Sequence, residues 1–559
     1  MKKTKNKKRG ISFSVPLLFA LAANVYADGW TYDPGTSGVS HIGTSTRTAP
    51  IANGEQDDQT PSLSMGTVDT AQVQGTAEIK DTAQGVVFDG STNKLTVDSG
   101  AALNVESGAG DVVGVVGVDV LENEGSIKVV STAGNATGVK AGTAAADFSA
   151  KNISAESASG TAIAVEIGNR NGNITVDNAK ATTGDSNPSA FAFKSDDITG
   201  NIAITNSTGK ISTKNTVGDV SVSNTTGDFT ADDISGKLSL DNLTGNATIA
   251  SANTVSSTAL TGDLNVASNS GAVNIGDVSG TATFGDAQAD VTATGTLGAL
   301  DATLNGGNLS AATVSGATTV NGTGNATIAS ANTVSSTALT GDLNVASNSG
   351  AVNIGDVSGT ATFGDAQADV TATGTLGALD ATLNGGNLSA ATVSGATTVN
   401  GTGNATITSA NTVSSTALTG DLTIGSATGD TNVGTVSGKL SVSNSAGNVT
   451  VTGSVGTAEL KNVQDVDINS ATVTDIDGAN NVNIGSTGSL GVQNAASLSV
   501  ATTGNVVVSD MTGDVSFDNI NGTLDAQRIG GEVKVTDTCL LYTSPSPRDS
   551  TSSRMPSSA

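Results

Sequence analysis

The chain has 559 residues, of which 70 are glycine and only 3% aromatic, and it sets 24 Lys and Arg against 51 Asp and Glu, a formal charge of −27. That charge opposes nucleic acid and anionic lipid as partners, and a single cysteine excludes a disulfide scaffold. With so few large side chains the apolar surface has to be buried in small portions along the chain, not in one central globule.

Residues 1–27 start with six basic residues (Lys2, Lys3, Lys5, Lys7, Lys8 and Arg9), continue with an apolar run from Ile11 to Ala23, and finish at Val25-Tyr26-Ala27. That order predicts a secretory signal peptide and an exported protein. The run is interrupted by Ser12, Ser14 and Pro16 and falls short of the roughly 20 apolar residues a membrane helix needs. Residues 28–69 read as an irregular lead-in or cap. They hold His41, the only histidine, which has no second histidine and no neighbouring cysteine to share a metal with and is expected to be a loop residue.

From 70 to 538 the chain is expected to form one all-β architecture, a parallel β-solenoid built of nonapeptide units. Glycine falls at 200, 209, 218, 227, 236 and 245, a strict nonapeptide spacing. The third and fifth places of these units carry Ile202/Ile204, Val220/Val222 and Leu238/Leu240. Alternate side chains of a strand point to opposite faces, so these pairs form the core and the hydroxyls between them face water. The seventh place carries Asn206, Asn215, Asn224, Asp233 and Asn242, residue types that tolerate left-handed backbone, and they are expected to stack as one ladder along a corner. A single nonapeptide cannot bury its own apolar face, so neighbouring coils must stack. A disordered Gly/Ser/Thr linker has no reason to keep apolar residues at fixed places.

A longer period overlies this one. Residues 244–322 recur as 323–401, a shift of 79, and 402–422 begin a third copy in which only Thr408 differs, standing where Ala250 and Ala329 stood. The copy counts as nine units, which divide evenly into three-sided coils of about 26 residues, and three sides are therefore expected.

No catalytic, cofactor-binding or metal-binding set emerges. Ser186 lies in a protease-like Gly184-Asp185-Ser186 segment with no oriented base. The pairs Asp196/Asp197 and Asp232/Asp233 fall at corners, where solvated turns are expected, although isolated Asp pairs are able to bind calcium weakly. The least regular stretch, 166–194, with Arg170, Asp177, Asp185, Phe191, Phe193 and Lys194, is where a carbohydrate-active enzyme would have its site, and a loop insertion explains it equally well. Pairs such as Thr281/Thr283 and Thr292/Thr294 are too sporadic for an ice-binding face. Between Lys237 and Lys439 there is no Lys or Arg.

Residues 539–559, beginning Cys539-Leu540-Leu541-Tyr542-Thr543-Ser544, resemble a translated sequencing adapter, so the natural protein is expected to continue beyond about Thr538. The cysteine-free, acidic repeat behind a signal peptide, with stretches such as Gly125-Ser126-Ile127-Lys128-Val129-Val130 and Gly138-Val139-Lys140-Ala141-Gly142, resembles the passenger region of bacterial autotransporter adhesins. The resemblance implies a β-helical passenger on the surface of a Gram-negative bacterium, exported through a C-terminal β-barrel translocator that this chain does not show. It implies a structural or adhesive stalk, with a surface receptor or self-association as partner and no nucleic acid. The alternative is a secreted carbohydrate-active β-helix, a lyase or glycosidase.

Overall fold

The computed structural model describes residues 70–538 except 81–82, 89–92, 144 and 185–188, together with five short strands ahead of them, Asn24–Tyr26, Trp30–Asp33, Gly38–His41, Thr44–Arg47 and Leu63–Ser64. The leader (but for its strand at 24–26), the His41 side chain, Ser186 and the adapter-like 539–559 lie outside what is described. The described chain is all-β, 77% strand and without a helix, and forms a parallel β-solenoid of about 19 turns. It divides into two compact units, residues 1–268 and 269–559.

In the first unit, Asn24–Tyr26, Trp30–Asp33 and Gly38–His41 pair antiparallel in sequence, and from Gly38–His41 onward the pairings become parallel. Three columns of strands then stack. Ala102 pairs with Ser126, Ile127 with Ile153, and Ile174 with Ile202, so the turn lengthens slightly along this stretch. At Ile202 the turn contracts. Ile202 pairs with Val220, and Val220 with Leu238, each partner lying two glycine-headed units further on. The column that held 153–157 and 179–183 shrinks to the single bridges Lys180/Thr208 and Thr208/Thr226, so one side of the coil becomes a corner.

The expectation of three-sided coils through the nonapeptide stretch is therefore corrected: there each turn is made of two nonapeptide units, not three. The inward set explains why so short a turn closes. Besides the third and fifth places, the eighth also points inward, and Ser207, Thr216, Thr225, Ile234 and Leu243 are all at most 2% exposed. Three inward side chains per unit fill a narrow space without a third wall. The named core residues Ile202, Ile204, Val220, Val222, Leu238 and Leu240 are buried as expected. Each contributes roughly 1.5–3 kcal/mol relative to leaving it in water, shared with the coils on either side.

The first-place glycines have a steric cause. A Cβ on Gly227 (φ +135°) would sit 2.3 Å from the carbonyl oxygen of Gly209, and one on Gly218 would meet that of Gly200 at the same distance. Backbone packs on backbone at these corners, one turn apart, and no side chain fits between.

In the second unit the turn keeps close to this two-unit length, with Thr318/Val334 among its shortest pairings and Val278/Leu297 among its longest. One ladder runs Val273, Val291, Leu309, Ala326, Leu343, Ala361 and Leu379. Val352, which is Val273 shifted by 79, lies in the other ladder, Thr318, Val334, Val352, Val370, Leu388 and Ala405. Nine units make four and a half two-unit turns, so each copy starts half a turn from the last. The odd count does not require three sides. The two sides of the coil are near-equivalent, and a half-turn offset keeps every inward place inward.

Candidate functional site

The corners hold the most regular polar chemistry. The second place of the units is Asn or Asp wherever its side-chain oxygen accepts the backbone amide of the residue one turn on. Asp147 accepts from Asn173 (2.8 Å), Asn173 from Asn201 (3.0 Å), Asn201 from Asp219 (2.8 Å) and Asp219 from Lys237 (2.8 Å). The second unit repeats the device, with Asp369, Asn387, Asn404 and Asp421 accepting in turn from Asn387, Asn404, Asp421 and Lys439. A Lys ends each of these two columns because an ammonium has nothing to accept with. In both, a carboxylate is followed by Asn or Lys, which avoids stacking like charges one turn apart. These second-place residues carried no assigned role in the sequence reading. What would have pointed to them is their position beside a glycine that brings two backbones together.

The seventh-place ladder is split. Asn206, Asn224 and Asn242 adopt left-handed backbone (φ 51°, 51° and 53°) and stack along one corner, which extends back to Asn152 and Asn178 (φ 52° and 54°). Asn242 donates to the Asn224 amide oxygen at 3.1 Å and Asn178 to that of Asn152 at 2.7 Å, while Asn206 reaches Asp177 at 2.9 Å. Asn215 and Asp233 are not left-handed and sit on the opposite corner, Asn215 bonding to Asp197 at 3.0 Å. With two units per turn, alternate seventh places must fall on opposite corners, so the single ladder of five is corrected to two. Asn152 and Asn178 follow the inward residues Ala150 and Val176 by the same two places as Asn206 follows Ile204, a signal the irregular glycine spacing there concealed.

The stretch 166–194 does not assemble into a cluster around Arg170. That side chain is 2% exposed and threads two turns of coil. Its Nε donates to the Ala146 carbonyl at 2.9 Å, Nη1 to Gly142 at 3.0 Å and Nη2 to Asp119 at 2.5 Å, with the guanidinium 5.2 Å above the Phe148 ring. Burial lowers its pKa from the usual arginine value, opposed by the Asp119 and Asp147 carboxylates. Three carbonyls satisfy a cation that would otherwise be costly to bury. Phe193 is buried, Phe191 half-buried, Lys194 exposed, and Asp177 accepts from Thr205 and Asn206; Asp185 lies outside the described residues. Asp196 pairs with Lys214 at 2.6 Å, which raises the lysine pKa, and Asp232 and Asp233 are exposed. Among the described residues no group of His, Cys, Asp and Glu stands together as a metal site.

The outward surface of the second unit carries two adjoining grooves. One, of about 400 Å³, is lined by Thr398, Ser414, Thr416, Asn432, Gly434 and Thr452. The next, of about 480 Å³, shares Thr452 and continues over Asp467, Asn469, Asn483, Gly485 and Asp518. Both linings mix hydroxyl and amide groups with apolar ones, Val433 in the first and Val451, Ile468, Ile484 and Ala501 in the second; carboxylates occur only in the second, and neither lining has a cation or an aromatic ring. No family model matches the chain, and neither a curated protein nor a solved structure does.

Proposed function

We propose that this chain is a non-enzymatic structural and adhesive stalk, exported and held at the surface of a Gram-negative bacterium as the passenger of an autotransporter-like protein. The observation that carries this reading is the parallel ladder within each compact unit. Coil after coil bonds its backbone to the next and shares its core with it, so the fold grows by similar small steps from one end. Such growth suits a chain that folds as it emerges from a membrane. The basic and apolar leader and the absence of cysteine before position 539 support export through an oxidising compartment. Outward hydroxyls and amides recur from coil to coil, and many weak polar contacts in register add up to adhesion. An antibody raised against residues 323–401 tests the reading: it labels intact cells that carry the protein, and labelling that appears only after lysis defeats it.

A further inference from the structure

We infer that the groove over Gly434 is a binding site for a neutral, polyhydroxylated chain such as a glucan, and that the 79-residue module displays this site a second time on the opposite face. The inference rests on the adhesive reading above and names its ligand class. Thr398, Ser414 and Asn432 are the outward neighbours of Thr397, Val413 and Thr431 in one ladder. Their counterparts in the preceding copy, Thr319, Ser335 and Asn353, flank Thr318, Val334 and Val352 in the other ladder. The hydroxyl pair Thr319/Ser335 (3.0 Å) recurs as Thr398/Ser414 (3.1 Å). A glycine floors the groove, Gly434, and neither it nor its counterpart Gly355 tolerates a side chain: a Cβ on Gly355 or Gly434 would lie 2.1 Å from the carbonyl oxygen of Thr337 or Thr416.

A second observation comes from the third copy itself. Past Leu422 it departs from the second, with Thr435 for Asp356, Lys439 for Thr360 and Val442 for Phe363, so even inward residues change. The polar groups of the groove do not: Asn432 and Thr452, with Gly434, repeat Asn353 and Thr373, with Gly355, and among the lining residues only Val433 differs, standing for Ile354. Among the described residues the amides of Asn353 and Asn432 have no hydrogen-bond partner, although neighbouring corner amides are engaged. A free carboxamide offers both donor and acceptor to a vicinal diol, and the volume lies within the roughly 300–1,000 Å³ of small-ligand clefts. The stretch between Lys237 and Lys439, without a single cation, disfavours anionic chains.

The test uses the full chain and beads carrying a neutral glucan, with polygalacturonate beads as the anionic counterpart. Wild-type protein is expected to be retained on the glucan beads and to clump them, because two opposite faces bridge two beads. Asn353→Ala and Asn432→Ala singly should keep retention and lose clumping, and the double variant should lose both with an unchanged circular dichroism spectrum. Preference for polygalacturonate, no retention on glucan, or clumping by the single variants as strong as wild type overturns the inference. Surface labelling of intact cells alongside failed glucan retention rejects the groove and leaves the stalk standing.

Discussion

The side-chain oxygen of Asn201 accepts the backbone amide of Asp219 at 2.8 Å, one full turn further on. The contact ties one corner to the next where glycines 200 and 218 leave no side chain to pack. Asn201→Ala should destabilise the adjoining coils by about 1 kcal/mol, the usual net value of one such bond, whereas Asn201→Asp keeps the acceptor but stacks a carboxylate one turn from Asp219 and should recover only part of that loss. Native-state hydrogen exchange at the Asp219 amide checks this, with the larger acceleration expected in the Ala variant.

The two corners at the seventh place should respond differently to the same substitution. Asn224→Val puts a β-branched residue at φ 51° and should cost about 1–2 kcal/mol in backbone strain, besides the bond to Asn242. Asn215→Val meets no left-handed backbone and should cost less than about 1 kcal/mol. Denaturant unfolding of the two variants distinguishes two corners from a single ladder, for which equal effects are expected.

Inward and outward places alternate at neighbouring residues, so position alone should decide the effect of a charge. Val220, 1% exposed, replaced by Asp should cost roughly 3–5 kcal/mol as a buried charge without a partner. Ser221→Asp on the other face should stay within about 0.5 kcal/mol. Limited proteolysis should cut the first variant near 220 and leave the second resistant.

Deleting residues 323–401 joins Gly322 to Thr402 in place of the identical Gly322-Thr323 junction. The ladder should close as before, since one half-turn offset replaces another, and strand content per residue by circular dichroism should not fall. Loss of the cooperative unfolding transition would contradict the near-equivalence of the two sides.

Near the end of the second unit Arg528 forks onto the Asp510 carboxylate, both residues in left-handed backbone. The pairing holds the Asp510 pKa below the ordinary carboxylate value and the Arg528 pKa above the ordinary arginine value. A lowered folded-state pKa stabilises above the unfolded value of about 3.9 and loses that contribution as pH falls through the lowered one. Hydrogen exchange in the strand Leu524–Ile529 should therefore be faster in Arg528→Gln than in wild type at neutral pH, with the difference vanishing in acid.

By itself the sequence determined that this is a parallel solenoid, because small apolar residues at fixed places have no other way to leave water than to stack on their counterparts. It also determined the inward pairs such as Val220/Val222, since a strand's period of two is a local property. The length of the turn was decided only in three dimensions. A nonapeptide period fits two units or three equally well, and what settles the matter is a pairing, Ile202 against Val220, that no local pattern contains. From that pairing follow the inward role of Thr216 and Thr225, the separation of Asn215 from Asn206 and Asn224, and the half-turn between Val273 and Val352. The same holds for Arg170, whose carbonyl partners lie as far back in the chain as Asp119 and whose chemistry is set by what the coil stacks beneath it.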